Sequence, residues 1–269
     1  MTPAPMRRPR SSGVRLAVRI HAGLVFFFLL APILIVIPLS FTSGPYLQFP
    51  PPGWSLRWYR SFLDDPVWVQ SALRSLQIGV STAILATALG SMLAFSLVRG
   101  RYRGRAALTH LAAAPLVVPG IVYSVAVYGL FSQFRLIGDW RGIVIGHTVL
   151  ALPYVVIIIT AGLSRFDPTL EQAALGLGAS RARTIRSITL PLIRPALVSA
   201  IFLAFIASFD ELVVAMFLGG SNMTLPKKMF DNIQNAVDPV LAVVSVLQIG
   251  LVSLALLIVA RFGAGARPM

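Results

Sequence analysis

Cysteine is absent from this 269-residue chain, and charge is scarce, with 12% of residues Asp, Glu, Lys or Arg. The first absence excludes a disulfide framework, a thiolate nucleophile and a cysteine metal site. The second excludes an ordinary soluble domain, in which about a quarter of residues are charged. Acids are scarcer still, 9 against 23 lysines and arginines. The histidines, His21, His110 and His147, are scattered near the ends of apolar runs with no metal-ligand spacing, so no metal site is expected. No Gly-x4-Gly-Lys-Ser/Thr phosphate loop occurs, so any use of ATP falls to another subunit. No internal repeat is evident, which removes support for an inverted-repeat secondary transporter. What is there is apolar: 57% of residues are hydrophobic and mean hydropathy is +0.81. The net charge of +14 does not point to nucleic acid, because the arginines fall in short runs between apolar stretches, as topology signals do.

A helix needs roughly 20 apolar residues to cross a bilayer. Stretches 22–41, 72–98, 106–131, 143–163, 196–218 and 240–259 meet that length, which predicts an all-α integral membrane domain of six spans over residues 1–269. Pro115, Pro119 and Pro153 are expected to kink the third and fourth spans.

Orientation follows from Lys and Arg. Arg7, Arg8, Arg10, Arg15 and Arg19 lie in a basic arm (1–21), and Arg99, Arg101, Arg103 and Arg105 between spans two and three. Arg165, Arg181, Arg183, Arg186 and Arg194 lie between spans four and five, and Arg261 and Arg267 in the tail. The opposite loops carry only Arg57, Arg60, Arg135, Arg141, Lys227 and Lys228, with Arg74 at a span edge. Both termini and the 164–195 loop are therefore expected in the cytoplasm of a multi-pass inner-membrane protein. The first span has basic residues before it, but it is long and no Ala-x-Ala-like site follows, so it reads as a retained helix.

Outside, Phe49-Pro50-Pro51-Pro52-Gly53 cannot be regular helix. Leu56, Tyr59, Phe62 and Leu63 then recur at helical spacing. With Trp54, Trp58 and Trp68 they predict a helix at headgroup level. It serves either as an anchor or as a contact for an external binding protein.

The 164–195 loop has its own pattern. Asp167-Pro168 is a helix start, with a side-chain acceptor and then proline. Leu170, Ala173, Ala174 and Leu177 fall on one face at helical spacing. Gly176 and Gly178 end that helix, and Ser180 can cap a second one through Ile188. Pro191 and Pro195 mark the start of the next span. The product is an elbow with small residues on its exposed face. Taken alone, it is either a surface for a partner or an ordinary amphipathic surface helix.

Glu171-Gln172-Ala173-Ala174, Gly178-Ala179-Ser180 and Ile188-Thr189-Leu190-Pro191 resemble the cytoplasmic EAA loop of ABC importer permeases, the part that docks on the ATPase. The family pattern is Glu-Ala-Ala, three residues, Gly, nine residues, Ile, one residue, Leu-Pro. In that register Gln172 replaces the usual Glu, which removes any salt bridge carried by that position. The likeness extends further. Ser40-Phe41, Phe49-Pro50-Pro51, Gly53-Trp54-Ser55-Leu56-Arg57-Trp58-Tyr59, Phe209-Asp210-Glu211, Phe217-Leu218, Thr224-Leu225-Pro226 and Val237-Asp238-Pro239 look like the spermidine/putrescine class, in its C-type subunit.

The resemblance implies a type I ABC importer permease that does no covalent chemistry. It implies two ATP-binding subunits holding ATP and Mg, a second homologous permease and an external binding protein. It implies that this chain itself binds no cofactor. The implied cargo is a polyamine such as putrescine or spermidine, with opines, phosphonates and other small organic ions as alternatives.

Asp210 and Glu211 are the acids inside an expected span, about 21 Å along it from Ala196 at 1.5 Å per residue. Charge at membrane depth faces protein or water. These carboxylates either meet an ammonium cargo, together with Phe209, or cap a broken helix or pair with an arginine. Tyr123, Tyr128 and Phe131 form a broad aromatic sector in the outer part of span three, suited to packing or to holding a cation. A different class, an intramembrane enzyme or an ATPase-independent channel, is the competing reading. An enzyme requires a nucleophile–base pair such as Ser with His. The histidines lie near expected span ends, and Asp210 and Glu211 are sequence neighbours, which suits no such pair.

Overall fold

The computed structural model describes residues 12–235 and 237–263. Arg7, Arg8, Arg10 and Arg267 of the expected basic arm and tail lie outside the described residues. The helices are α1 Ser12–Ser40, α2 Arg57–Asp64, α3 Pro66–Arg99, α4 Arg105–Ala113, α5 Gly120–Gln133, α6 Trp140–Arg165 and α7 Thr169–Gly176. They continue with α8 Arg181–Thr184, a π-helical turn Ile185–Thr189, α9 Leu190–Leu192, α10 Arg194–Phe209, α11 Val213–Leu218, α12 Leu225–Asn235 and α13 Val240–Gly263. Four of these are long and apolar enough to cross a membrane: Leu16–Ser40, Pro66–Arg99, Trp140–Arg165 and Val240–Arg261. There are up to six spans if each of two bent pairs is one span.

The kink expected in span three is a full break. Span three is Arg105–Leu116 followed by Gly120–Gln133, bent by 104°. Proline explains it. Pro115 sits in a 3-10 turn, and Pro119 precedes α5 in extended backbone that no α-helix can contain. The run Arg181–Leu192 meets Arg194–Phe209 at 74°, at Ile193, just before Pro195. Pro153, by contrast, sits inside a continuous α6.

The chain divides into two compact units. One comprises 1–61 and 237–247. In it the proline-rich loop after α1 is pinned by a single antiparallel bridge, Thr42 to Trp54. The Ser40 and Tyr59 hydroxyls lie 2.8 Å apart, and Trp58 Nε1 donates to the Gly44 carbonyl at 3.1 Å. α2 is the expected amphipathic helix, and Trp54 is exposed. None of the apolar window of α1 is buried.

The other unit, 62–236 with 248–269, holds the packed core. Trp68 belongs here, 3% exposed and 6.3 Å from the Phe62 ring, so it is a packing residue and not an interfacial anchor. The core is built of small residues where α3, α6 and α10 meet: Ala83, Ala86 and Ala94, Ala151, Ala200 and Ala204, with Val155, Ile159 and Leu163 among them. Small side chains let helices approach closely, and in lipid that van der Waals contact replaces the hydrophobic drive.

Gly90 shows how closely. A Cβ there would lie 2.6 Å from Val155 Cγ1, and valine has little χ1 freedom with which to withdraw. Gly90→Val is therefore expected to lower the thermal midpoint in detergent, at an overpacking cost of about 1–3 kcal/mol. Gly23→Val in α1, where nothing lies within 4 Å of the new Cβ, is expected to leave the midpoint unchanged. Equal midpoints for the two variants would contradict this account of the core.

Candidate functional site

Two places collect polar chemistry, the 164–195 elbow and the gap between α10 and α11. At the elbow, Asp167 Oδ1 accepts from the Thr169 backbone N–H at 2.9 Å and starts α7. That hydrogen bond holds the Asp167 carboxyl below its ordinary range. Ser180 Oγ accepts from Arg183 N at 3.3 Å and starts α8. Between them Gly178 has φ +87, the left-handed region glycine enters without strain. The second arm runs past Ile188 to Leu192, through the π-turn that ends at Thr189. Pro191 supplies the reason: it has no N–H, and widening the turn keeps its ring off the carbonyl four residues back.

The elbow exposes Gln172, Ala173 and Gly178, while Ala174 and Ala179 are half-buried. Leu177 is 89% exposed. Leu190 is half-buried and Pro191 exposed.

The charged anchor is Glu171, not Gln172. Glu171 Oε2 lies 3.1 Å from Arg99 Nε at the end of α3, and Oε1 accepts from Thr189 Oγ1 at 2.9 Å. Arg99 also lies over the Phe166 ring, 5.4 Å from its centroid. One carboxylate thus ties the first arm of the elbow to a transmembrane helix and to the second arm. Sequence reasoning missed Arg99 and Thr189 as its partners. Arg99 is 72 residues away along the chain, and no periodicity links them.

The contact also brings arginine-rich segments together. It places the arginine-rich end of α3 beside the arginine-rich elbow. At another point, Gly138 N donates to the Leu218 carbonyl at 2.8 Å, and Asn222 Nδ2 donates to the Gly138 carbonyl. The arginine-poor loops before α6 and after α11 therefore also share an end.

The second place corrects the fifth span. The expected helix 196–218 breaks after Phe209 and resumes at Val213. Glu211 makes the break tolerable. Its Oε1 accepts from Val213 N at 3.0 Å, and its Oε2 from Val214 N at 2.9 Å and Ala215 N at 3.3 Å. The otherwise unpaired amides that begin α11 are thus satisfied by one side chain. Asp210, by contrast, is exposed. Phe209 is 5% exposed and stacked 5.3 Å from Phe205, which makes it a packing residue. Tyr123 is half-buried and donates to the Gly146 carbonyl at 2.8 Å, whereas Tyr128 is 44% exposed and Phe131 is buried.

His147 was not legible as part of any site. It is 2% exposed, with Nδ1 2.8 Å from Ser208 Oγ and Nε2 3.2 Å from Glu211 Oε2. Serine, histidine and carboxylate therefore do meet, against the expectation that no Ser–His pair exists. The serine, however, is 4% exposed, and the carboxylate is occupied by three amides. The arrangement closes a helix break and offers no nucleophile to a substrate. A histidine in an apolar span was the available signal.

Residues 86–266 match the family "binding-protein-dependent transport system inner membrane component". The chain is 34% identical over 237 residues to the putrescine transport system permease protein PotI of Escherichia coli strain K12, covering 85% of this chain and 84% of that protein. It is 34% identical over 240 residues to the spermidine/putrescine transport system permease protein PotC of Haemophilus influenzae, covering 88% and 92%. Its fold is similar to a solved chain of a bacterial ABC transporter that imports the acidic polysaccharide alginate. The TM-score there is 0.73 at 19% identity, over 95% of this chain and 99% of that one.

Proposed function

Since this chain belongs to the family of binding-protein-dependent transport system inner membrane components, we propose that it forms one wall of a polyamine pathway, powered by separate ATPase subunits. A second homologous permease completes the pathway, and an external binding protein delivers the cargo. The arginine-rich end faces the cytoplasm, by the positive-inside rule. The elbow then meets the ATPase, with Leu177 and the small residues around Gly178 as the contact. Closure of the ATPases on ATP moves the elbow. The Glu171–Arg99 pair passes the movement to α3, which packs on α6 and α10, and α10 ends at Phe209, next to Asp210.

The observation that carries the cargo reading is the exposed carboxylate of Asp210 at a helix break within an apolar span. An ion at that depth is retained only where water or a charged ligand meets it, and an ammonium cargo supplies charge-assisted hydrogen bonds. Relatives that transport putrescine and spermidine support the same choice.

The test is uptake of labelled putrescine and spermidine by cells carrying the complete transporter. Asp210→Asn is expected to lower uptake by about tenfold or more, chiefly through KM, with the complex still assembled. If the intact system takes up no polyamine, the cargo reading fails, and competition by opines, phosphonates and other small organic ions identifies the alternative. If uptake persists without any ATPase, the chain is a channel and the coupling reading fails.

A further inference from the structure

The break between α10 and α11 has a latch, and His147 is its centre. α6 presents His147 to both sides of the break at once. Nδ1 meets Ser208 Oγ, in the last turn of α10, at 2.8 Å. Nε2 meets Glu211 Oε2, the carboxylate that caps α11, at 3.2 Å. The facing carboxylate favours the proton on Nε2, so Ser208 donates its hydroxyl hydrogen to Nδ1.

The two contacts differ in kind. The Ser208 contact is a well-formed hydrogen bond. The Nε2 contact is close but off-axis, and Nε2 has no aligned acceptor although it is fully buried.

α6 is shaped for this. Tyr123 of α5 donates to the Gly146 carbonyl, beside His147, and stiffens the backbone that carries the imidazole. A Cβ on Gly146 would lie 3.0 Å from Val214 Cγ1, so α11 rests directly on α6 at this level.

We propose that His147 is the positioning residue of the span-five break: acting through Glu211, it sets the angle between α10 and α11 and so the direction in which Asp210 is presented. Its consequence for cargo rests on the reading of Asp210 given above, whereas its effect on the break does not. His147 touches no cargo. Glu211 is committed to the cap, which leaves Asp210 as the carboxylate open to the pathway.

The absence of cysteine permits a test that needs no cargo. Ile201→Cys and Met216→Cys, both on exposed positions of α10 and α11, would carry spin labels across the break in the assembled transporter. His147→Ala is expected to broaden or shift the distance distribution between the labels. His147→Gln, which keeps a donor toward Glu211, is expected to restore most of it. In reconstituted vesicles with loaded binding protein, His147→Ala is expected to lower uptake per ATP hydrolysed by about tenfold, while hydrolysis continues. The double variant His147→Ala with Glu211→Gln is expected to be no worse than the poorer single variant, because both act on one element.

An unchanged label distance in His147→Ala overturns the proposal whatever the cargo is. So does a loss of uptake that only follows loss of assembled complex, with no rescue by His147→Gln. A latch effect on label distance combined with no polyamine uptake by the intact system retains the latch and removes the cargo reading alone.

Discussion

Gly178→Asp is expected to abolish uptake, by about a hundredfold or more, and to release the ATPase subunits from the purified complex. The substitution has two separable effects. Gly178 sits at φ +87, where a residue with a Cβ is strained by about 1–2 kcal/mol. Nothing lies within 4 Å of the new Cβ, so the folded chain accommodates the side chain without a clash. The larger effect is outside the chain. The carboxylate would stand beside Leu177, the 89% exposed side chain that the proposed docking puts into a pocket of the partner. An unpaired charge carried into that pocket loses its water and gains no counter-ion.

Gly104→Asp separates the two effects. Gly104 also has positive φ, +90, and open space around its Cβ, but it lies on the loop before α4. It is expected to cost the same strain and to leave ATPase binding intact. Gly178→Asn, which tolerates left-handed backbone and adds no charge, is expected to fall between the two. Co-purification of the ATPase with each variant, compared at equal membrane expression, is the measurement. Retention of the ATPase by Gly178→Asp removes the elbow as its docking surface.

Hydropathy revealed where the chain crosses the membrane because burial in lipid requires length and apolarity, and those properties are additive along the sequence. Direction is not additive. The apolar run continues through Val117 and Val118, so the 104° bend leaves no dip in hydropathy, and the prolines Pro115 and Pro119 are what betray it. The span-five break lacks even that. Neither proline nor glycine stands between Phe209 and Val213, and the break exists because Glu211 replaces the amides' lost partners with its own carboxylate. A charged pair inside a span was a visible signal, but which acid caps and which is exposed depends on backbone turns that spacing does not encode.

The EAA resemblance drew attention to the elbow of α7 and α8 and assigned interest to Gln172, where the family register puts its acid. The family's pattern aligns residues by sequence, whereas an ion pair forms by helical phase. Glu171 and Leu175, four apart, share a side of α7, and there Glu171 meets Arg99 and Thr189, while Gln172 is turned outward. His147 escaped notice for a related reason. Its partners lie on α10 and at the start of α11, and its own neighbours in sequence are apolar or small.

Glu171→Ala is the second substitution with a large expected effect, and it should separate docking from transmission. The Glu171 side chain points into the chain, toward α3 and the π-turn, and not toward the exposed tip at Leu177 and Gly178. ATPase binding is therefore expected to persist. What is lost is the tie between elbow and α3. Removing one member of a partly buried pair leaves Arg99 and the buried Thr189 hydroxyl without their acceptor, at a cost of about 1–3 kcal/mol. The elbow then moves without drawing α3 with it. Uptake per ATP hydrolysed is expected to fall by about tenfold or more, with binding-protein-stimulated hydrolysis retained.

Arg99→Ala is expected to match it, and the pair together to be no worse than either, because both break one contact. Gln172→Glu, which restores the acid of the family register, is expected to change uptake by less than about twofold, as an exposed charge usually does. Measuring uptake and hydrolysis in the same vesicles decides the matter. Normal coupling in Glu171→Ala would show that the elbow drives the pathway by another route, through the second arm and Ile193 into α10.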